Sequence, residues 1–136
     1  MVGSRELFEC KYRRVVDDGD DNGVGKSQAT LKISVDGKEV LAVAEGVGPV
    51  DAMNRAIRQA LKPFYPEIEE VGLNVYDVSI LNGEEGTSAS VEVRIRMCRS
   101  SDFCEIVEVS GNILAASFAA LRAGYAQLIL GEGGQK

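Results

Sequence analysis

Hydrophobic and polar residues alternate along residues 28–35 and again along residues 88–97. A period of two residues predicts a strand with one buried and one exposed face. Asp36-Gly37, directly after the first stretch, is typical of a two-residue turn that leads into a second strand. With the weaker patterns included, the chain predicts strands over residues 7–16, 28–35, 39–45, 73–81, 88–97 and 103–109.

Two further stretches carry the 3.6-residue period of helices. The first begins at Pro49 and ends before Pro63, because proline cannot continue a helix. The second covers residues 112–130, with Ser110 or Asn112 as its N-cap, and the tail after it is expected to fray. Apolar residues occupy nearly its whole circumference, so we expect a sheet and either the first helix or a second subunit to cover it.

The two helix entrances, residues 45–52 and 108–115, indicate one unit used twice. Each runs from a strand through a glycine-containing turn into a helix, and Pro49 and Asn112 lie 63 residues apart. We expect a single domain over residues 1–136 made of a tandem βββα repeat, about 5–66 and about 69–131. The predicted class is α+β: two three-stranded, mainly antiparallel sheets with two helices packed on them.

Composition fits one soluble domain, since 136 residues with 45% hydrophobic content can bury an ordinary core. The net charge of −6 disfavours nucleic acid and anionic membranes as partners. No apolar run approaches the about 20 residues that span a bilayer, and the first residues do not resemble a signal peptide. We therefore expect a cytoplasmic protein with reduced cysteines, and a Cys98–Cys104 bridge is the alternative.

Candidate chemistry is sparse, because the chain contains no histidine, the commonest general base and zinc ligand. A small enzyme would need one of its cysteines, Cys10, Cys98 or Cys104, as an activated nucleophile. The segment 23–27, Gly-Val-Gly-Lys-Ser, resembles the end of a phosphate-binding loop. The first glycine of that motif would fall on Asp20, and a strand follows instead of a helix, so a solvated loop is the better interpretation.

A series of motifs resembles the C-terminal regulatory domain of the 2-isopropylmalate synthase and citramalate synthase family. In chain order they are Gly46-Val-Gly-Pro-Val-Asp-Ala52, Pro63-Phe-Tyr-Pro66, Tyr76-Asp-Val78, Gly86-Thr-Ser-Ala89 and Val109-Ser-Gly-Asn-Ile-Leu-Ala-Ala-Ser117. The resemblance covers nearly the whole chain, and the Pro-Phe-Tyr-Pro connection is closer to the citramalate synthase branch.

This resemblance implies a homodimer and feedback binding of a branched-chain amino acid, isoleucine or leucine, near the dimer interface. The catalytic part of such enzymes is a (β/α)₈ barrel with a divalent metal, and this chain carries no barrel pattern. The chain is thus interpreted as an excised regulatory domain of such an acyltransferase or a stand-alone relative. We expect no catalytic residue, metal site or cofactor in it.

An amino acid effector needs N–H donors for its carboxylate, an anion or carbonyls for its ammonium, and an apolar wall. Helix N-termini supply outward-pointing N–H groups, so Gly46 and Gly48 are predicted to bind the carboxylate, and amides near residues 110–112 could do the same. Asp77 or Asp51 is predicted to bind the ammonium. By resemblance, the family lines its effector pocket at positions that match Val50, Leu73, Tyr76, Ile80, Ala89 and Val109.

One alternative stays open beside effector binding. The chain could be a pure dimerisation module in which the apolar helix faces are kept while the pocket is filled. Stabilisation by a ligand separates the two, because only an effector-binding domain unfolds at a higher temperature when the amino acid is present.

Overall fold

The computed structural model describes residues 6–23 and 25–131. These residues form two compact units, each with its own sheet and helix. The N-terminal unit comprises residues 8–69, and the C-terminal unit comprises residues 70–131 together with Glu6 and Leu7.

The N-terminal unit is an antiparallel sheet with one helix on it. Its strands are β1 (Glu9–Asp18), β2 (Lys26–Val35) and β3 (Lys38–Gly46), in the order β1-β2-β3. Asp36 and Gly37 both have positive φ, as the tight turn between β2 and β3 requires. Helix α1 (Pro49–Leu61) packs across β2 and β3, and a short 3₁₀ segment, Pro66–Glu70, follows.

The C-terminal unit repeats this plan. Its strands are β4 (Val71–Ile80), β5 (Val91–Arg99) and β6 (Asp102–Ser110), again antiparallel and in the order β4-β5-β6. Helix α2 (Ile113–Leu130) packs across β5 and β6. The predicted fold class is therefore confirmed: an α+β chain with a tandem βββα order, two antiparallel sheets and two helices.

Two details of the prediction need correction. Residues 88–90 lie outside β5, because a 3₁₀ segment, Gly83–Ser88, with a positive φ at Gly86 takes up the chain between β4 and β5. The equivalent helix positions are Gly48 and Asn112, both N-caps, so the helices repeat at 64 residues instead of 63. The predicted frayed tail covers residues 131–136, of which Gly131 is the C-cap of α2 and residues 132–136 lie outside the described residues.

A β-bulge occurs at the same place in the first strand of each unit. Pairing shifts between Cys10 and Tyr12 in β1 and between Leu73 and Val75 in β4, so Lys11 and Asn74 are the extra residues. A bulge residue reverses which face the following side chains occupy. The simple alternation read from the sequence therefore fails at these two positions.

Each core lies between a sheet and its helix. In the N-terminal unit Leu31, Ile33 and Ile57 are at most 2% exposed, and in the C-terminal unit Ile95, Met97 and Leu121 are fully buried. Each such side chain contributes about 1.5–3 kcal/mol relative to an exposed one. α2 is the one helix among the described residues that is long and apolar enough to cross a membrane, but its packing on β5 and β6 is that of a core helix.

Candidate functional site

The entrance of α1 depends on two glycines with different roles. A Cβ at Gly46 would lie 2.4 Å from the backbone nitrogen of Ala52, so only glycine lets the start of α1 rest on the end of β3. A Cβ at Gly48 would meet no atom within 4 Å. Gly48 is the N-cap, its backbone is extended, and no side chain caps the helix there. Gly46 is thus a packing glycine, and Gly48 leaves the helix N-terminus open.

Asp51 stabilises this entrance from inside the helix. Its Oδ2 accepts hydrogen bonds from the Val47 N–H and from Nε of Arg55, each at 2.9 Å. The Val47 N–H, assisted by Arg55, lowers the pKa of this carboxyl below its usual value, despite an opposing effect of burial. Asp51 also carries negative charge in the first turn, where the helix dipole favours it. Its Oδ2 is therefore engaged within the protein.

The entrance of α2 is closed by its own cap. The Asn112 side chain accepts hydrogen bonds from the backbone N–H groups of Leu114 and Ala115, and the Asn112 N–H donates to Oγ of Ser110. This confirms Asn112 as the N-cap. Because its donors are occupied, the α2 entrance offers a carboxylate less than the α1 entrance does.

A cleft of about 330 Å³ lies beside the α1 entrance in the N-terminal unit. Its volume is at the lower end of those of small-molecule sites, about 300–1,000 Å³. The lining is largely charged or backbone: Gly25, Lys26, Glu45, Gly46, Val47 and Arg55. Of the predicted site residues Gly46 lines this cleft, and Gly48, Val50 and Asp51 are its neighbours in the chain.

Another group of predicted residues lies along one face of β4. Residues paired directly across an antiparallel sheet share a face, and Leu73, Tyr76 and Ile80 pair with Met97, Ile95 and Val91 of β5. The bulge at Asn74 is what places Leu73 and Tyr76 on the same side. We call this side, which carries α2, the helix side of the C-terminal sheet.

These β4 side chains remain partly accessible. Tyr76 is 38% exposed and Ile80 is 66% exposed, although both are apolar over most of their surface. The Tyr76 hydroxyl shares a 2.8 Å hydrogen bond with Oγ of Ser117 on α2. Ala89 is buried two residues before β5. Five of the six predicted wall residues thus belong to the C-terminal unit, and three of them lie on one face of β4.

Asp77 and Val109 do not share that face. Asp77 pairs with Arg94, and Val109 pairs with Glu92, so both lie on the outer side of the C-terminal sheet. The Arg94 guanidinium is held by Glu92 at 3.1 Å and Glu105 at 3.4 Å, which raises its pKa. The sheet itself separates Asp77 and Val109 from Leu73, Tyr76 and Ile80.

The two cysteines of the C-terminal sheet, Cys98 and Cys104, lie on opposite faces of it. All three thiols are free, and Cys104 faces α2 while Cys98 pairs with Phe103 on the outer side, which excludes the alternative Cys98–Cys104 disulfide. Burial raises the pKa of the Cys104 thiol. Within residues 6–23 and 25–131, no group of three or more metal-ligating side chains is close enough to hold a metal ion.

Sequence reasoning missed three charged residues of the cleft: Lys26, Glu45 and Arg55. Lys26 belongs to the fragment that resembles a phosphate loop, but Ser27 beside it is buried and donates to Asp17 at 2.6 Å. Arg55 is an exposed polar residue of α1, and no local pattern distinguishes it from the others on that helix. The sequence could have indicated the proximity of Lys26 and Glu45, because they lie on two strands that a tight turn joins into a hairpin.

Both a family model and individual relatives match the chain. The family model described as the LeuA allosteric (dimerisation) domain matches residues 1–129. The chain is 46% identical over 93 residues, 68% of its length, to an (R)-citramalate synthase of Synechocystis sp.. It is 40% identical over 111 residues, 82% of its length, to that of Aquifex aeolicus, and 35% identical over 128 residues, 94% of its length, to that of Streptomyces coelicolor.

These matches cover 17%, 21% and 24% of the three relatives, so the chain spans about a fifth of the length of the curated relatives it matches. The motifs that suggested the resemblance, including the Gly46–Gly48 turn and the segment up to Ser117, fall inside the matched range. The chain belongs to the LeuA allosteric (dimerisation) domain family, in the form carried by citramalate synthases.

Proposed function

We propose that the two units together form the regulatory domain of a citramalate synthase, a cytoplasmic acyltransferase whose catalytic barrel is the partner of this chain. The domain binds a branched-chain amino acid and forms a homodimer. We propose no catalytic residue in this domain, and the raised pKa of the buried Cys104 thiol disfavours Cys104 as the nucleophile of the competing small-enzyme hypothesis. The allosteric description of the matched family and the citramalate synthase relatives support this assignment.

One observation carries the effector proposal: α1 begins at an uncapped Gly48 beside an open cleft, whereas α2 is capped by Asn112. An open helix N-terminus with glycine at the cap favours a carboxylate. The branched-chain class comes from the resemblance, with isoleucine ahead of leucine because the relatives are citramalate synthases.

Within the N-terminal unit, Val50 is proposed as an apolar contact of the effector. Within the C-terminal unit, a separate apolar binding surface is proposed at Leu73, Tyr76, Ile80 and Ala89. The partly exposed helix side of β4 supports it, since exposed apolar side chains that lie together mark binding surfaces. A ligand held on that side cannot contact Asp77 or Val109, because the sheet stands between them. Asp77 and Val109 therefore lie outside the proposed effector contacts.

The homodimer is proposed through the face of α2 that its own sheet leaves partly uncovered. Apart from Arg122, the half-buried residues that share this face are small or apolar: Ala115, Ala119, Ala123, Ala126 and Ile129. Small side chains let a second helix approach closely, and a two-fold axis would pair this face with itself. Sedimentation velocity at micromolar concentration tests it, and a monomer would contradict the proposal.

Calorimetric titration of the chain with isoleucine, leucine and valine tests effector binding. At 100 times its dissociation constant a bound ligand stabilises by about 2.7 kcal/mol, so a thermal melt gives a second readout. Binding of none of the three at millimolar concentration, by a chain that still dimerises, would favour the alternative of a pure dimerisation module.

A further inference from the structure

The cleft beside the α1 entrance carries charges of both signs. Lys26 at the start of β2 and Arg55 on α1 are cationic, and Glu45 near the end of β3 is anionic, and all three line the same space. The chain as a whole has a net charge of −6, so two cations at one cleft are a local exception. A free amino acid has the same combination, one carboxylate and one ammonium.

Both cations have N–H groups that can donate hydrogen bonds to a ligand. Nε of Arg55 is bonded to Asp51, while its terminal nitrogens have no partner among the described residues. Nζ of Lys26 lies 3.6 Å from Oε1 of Glu45, and the Lys26 side chain is 75% exposed. An exposed pair of this kind adds about 0.2–1 kcal/mol at most, so a ligand could separate it at little cost.

The Asp51 contact gives Arg55 a fixed direction. Asp51 Oδ2 joins the Arg55 guanidinium to the Val47 backbone at the turn before α1. The guanidinium is thereby held at the cleft, with its terminal N–H groups free to form the paired hydrogen bonds that a carboxylate accepts. Val47 supplies the apolar surface of the cleft, and its side chain is 92% exposed.

We propose that this cleft recognises the main-chain charges of the effector: Arg55 and Lys26 bind the α-carboxylate, and Glu45 binds the α-ammonium. The assignment rests on the proposed amino acid effector and replaces Asp77 as the partner of the ammonium. It makes Lys26, Glu45 and Arg55 specificity-determining residues that select a zwitterionic amino acid over an amine or a simple carboxylic acid.

Titration of the intact chain with isoleucine tests the assignment. We expect Arg55→Gln and Lys26→Gln each to weaken binding about tenfold or more, and Glu45→Gln to weaken it similarly. Lys32→Gln is the matched control, because Lys32 and Glu39 form an ion pair of the same 3.6 Å length on the same two strands and do not line the cleft. Circular dichroism of each variant checks that it is folded.

Two isoleucine analogues sharpen the test. 2-Methylbutylamine lacks the carboxylate, so it should bind weakly to the parent, and its affinity for Arg55→Gln should be the same as for the parent. 3-Methylpentanoate lacks the ammonium and should bind equally to the parent and Glu45→Gln. An amine that loses affinity in Arg55→Gln would contradict the assigned roles.

The outcomes separate this inference from the proposed function. Isoleucine binding that persists within twofold in Lys26→Gln and Arg55→Gln overturns the cleft assignment and leaves the effector function intact. An equal loss of isoleucine affinity in Lys32→Gln also overturns the cleft assignment, because the effect would then come from the overall charge of the protein. If the parent binds an unbranched amino acid and the cleft variants do not, the cleft assignment is supported and the branched-chain function is refuted. A parent that binds no amino acid refutes both.

Discussion

The hydroxyl groups of Tyr76 and Ser117 lie 2.8 Å apart and connect β4 to α2. Ser117 is completely buried, whereas the Tyr76 side chain is 38% exposed. Since α2 packs mainly on β5 and β6, this hydrogen bond is a polar link between the helix and the strand that carries most of the proposed apolar contacts. The two residues fix the position of the Tyr76 ring on the helix side of the sheet.

Removing the Tyr76 hydroxyl and removing the Ser117 hydroxyl should lower the stability of the protein by different amounts. Tyr76→Phe leaves the buried Ser117 hydroxyl without its partner, and we expect it to lower the free energy of unfolding by about 1–3 kcal/mol. Ser117→Ala should cost less, about 1 kcal/mol, because the exposed Tyr76 hydroxyl can bind water instead. Urea denaturation of both single variants and the double variant measures the coupling. Tyr12→Phe, at a 48% exposed tyrosine of the N-terminal unit, is the control.

Gly124 is required by the close approach of α2 to the sheet. A Cβ there would lie 2.3 Å from Sδ of Met97 and 3.4 Å from Cδ1 of Ile95, both fully buried. Gly124→Ala gains about 1 kcal/mol of helix propensity but overpacks the core, which costs about 1–3 kcal/mol. We expect a net loss of stability in thermal and urea unfolding.

The control for that prediction is Gly111→Ala, since a Cβ at Gly111 would meet no atom within 4 Å. It should change stability by less than about 0.5 kcal/mol. Combining Gly124→Ala with Met97→Ala, which removes the obstructing sulfur, should cost less than the sum of the two single losses. Full additivity would show that the two side chains do not compete for space.

Substitutions at Gly48 change the charge at the α1 entrance without disturbing the fold. The environment of Gly48 is open, and Asp and Asn are both better N-caps than Gly by a few tenths of a kcal/mol, so neither substitution should destabilise the protein. Gly48→Asp sets a carboxylate against the effector carboxylate and should abolish isoleucine binding. Gly48→Asn has almost the same shape without the charge and should retain part of it. Calorimetry on both variants decides, and equal binding by the Asp variant would disprove carboxylate binding here.

Asp51 makes a pH-dependent contribution to stability. Its folded-state pKa is lowered, chiefly by the Val47 N–H, so the stabilisation is present above the ordinary aspartate value of 3.8 and is lost as the pH falls through the lower folded-state pKa. Asp51→Ala should cost about 1 kcal/mol at neutral pH. The difference from the parent should shrink below about pH 4. Denaturation curves at neutral and acidic pH measure it, with Asp21→Asn in the exposed loop as the control.

The sequence by itself determined the local structure of this protein. Strict alternation in residues 28–35, the Asp36-Gly37 turn and the Pro49 helix start are each fixed by the few residues involved, and the structure shows all of them. The family could also be recognised from the sequence, because its motifs consist of turn and cap residues in a fixed order. These features depend on backbone preferences and nearby side chains, which are encoded within a short window.

The tertiary structure decided which side chains come together. The bulge at Asn74 sets Leu73 and Tyr76 on one face, and pairing across the sheet puts Asp77 and Val109 on the other, because register determines the face of every side chain in a strand. It also distinguishes the two glycines of the α1 entrance, because Gly46 is needed for close packing whereas Gly48 has open space around it. Lys26, Glu45 and Arg55 meet at one cleft only once α1 folds back onto β2 and β3, a long-range contact that no local pattern records.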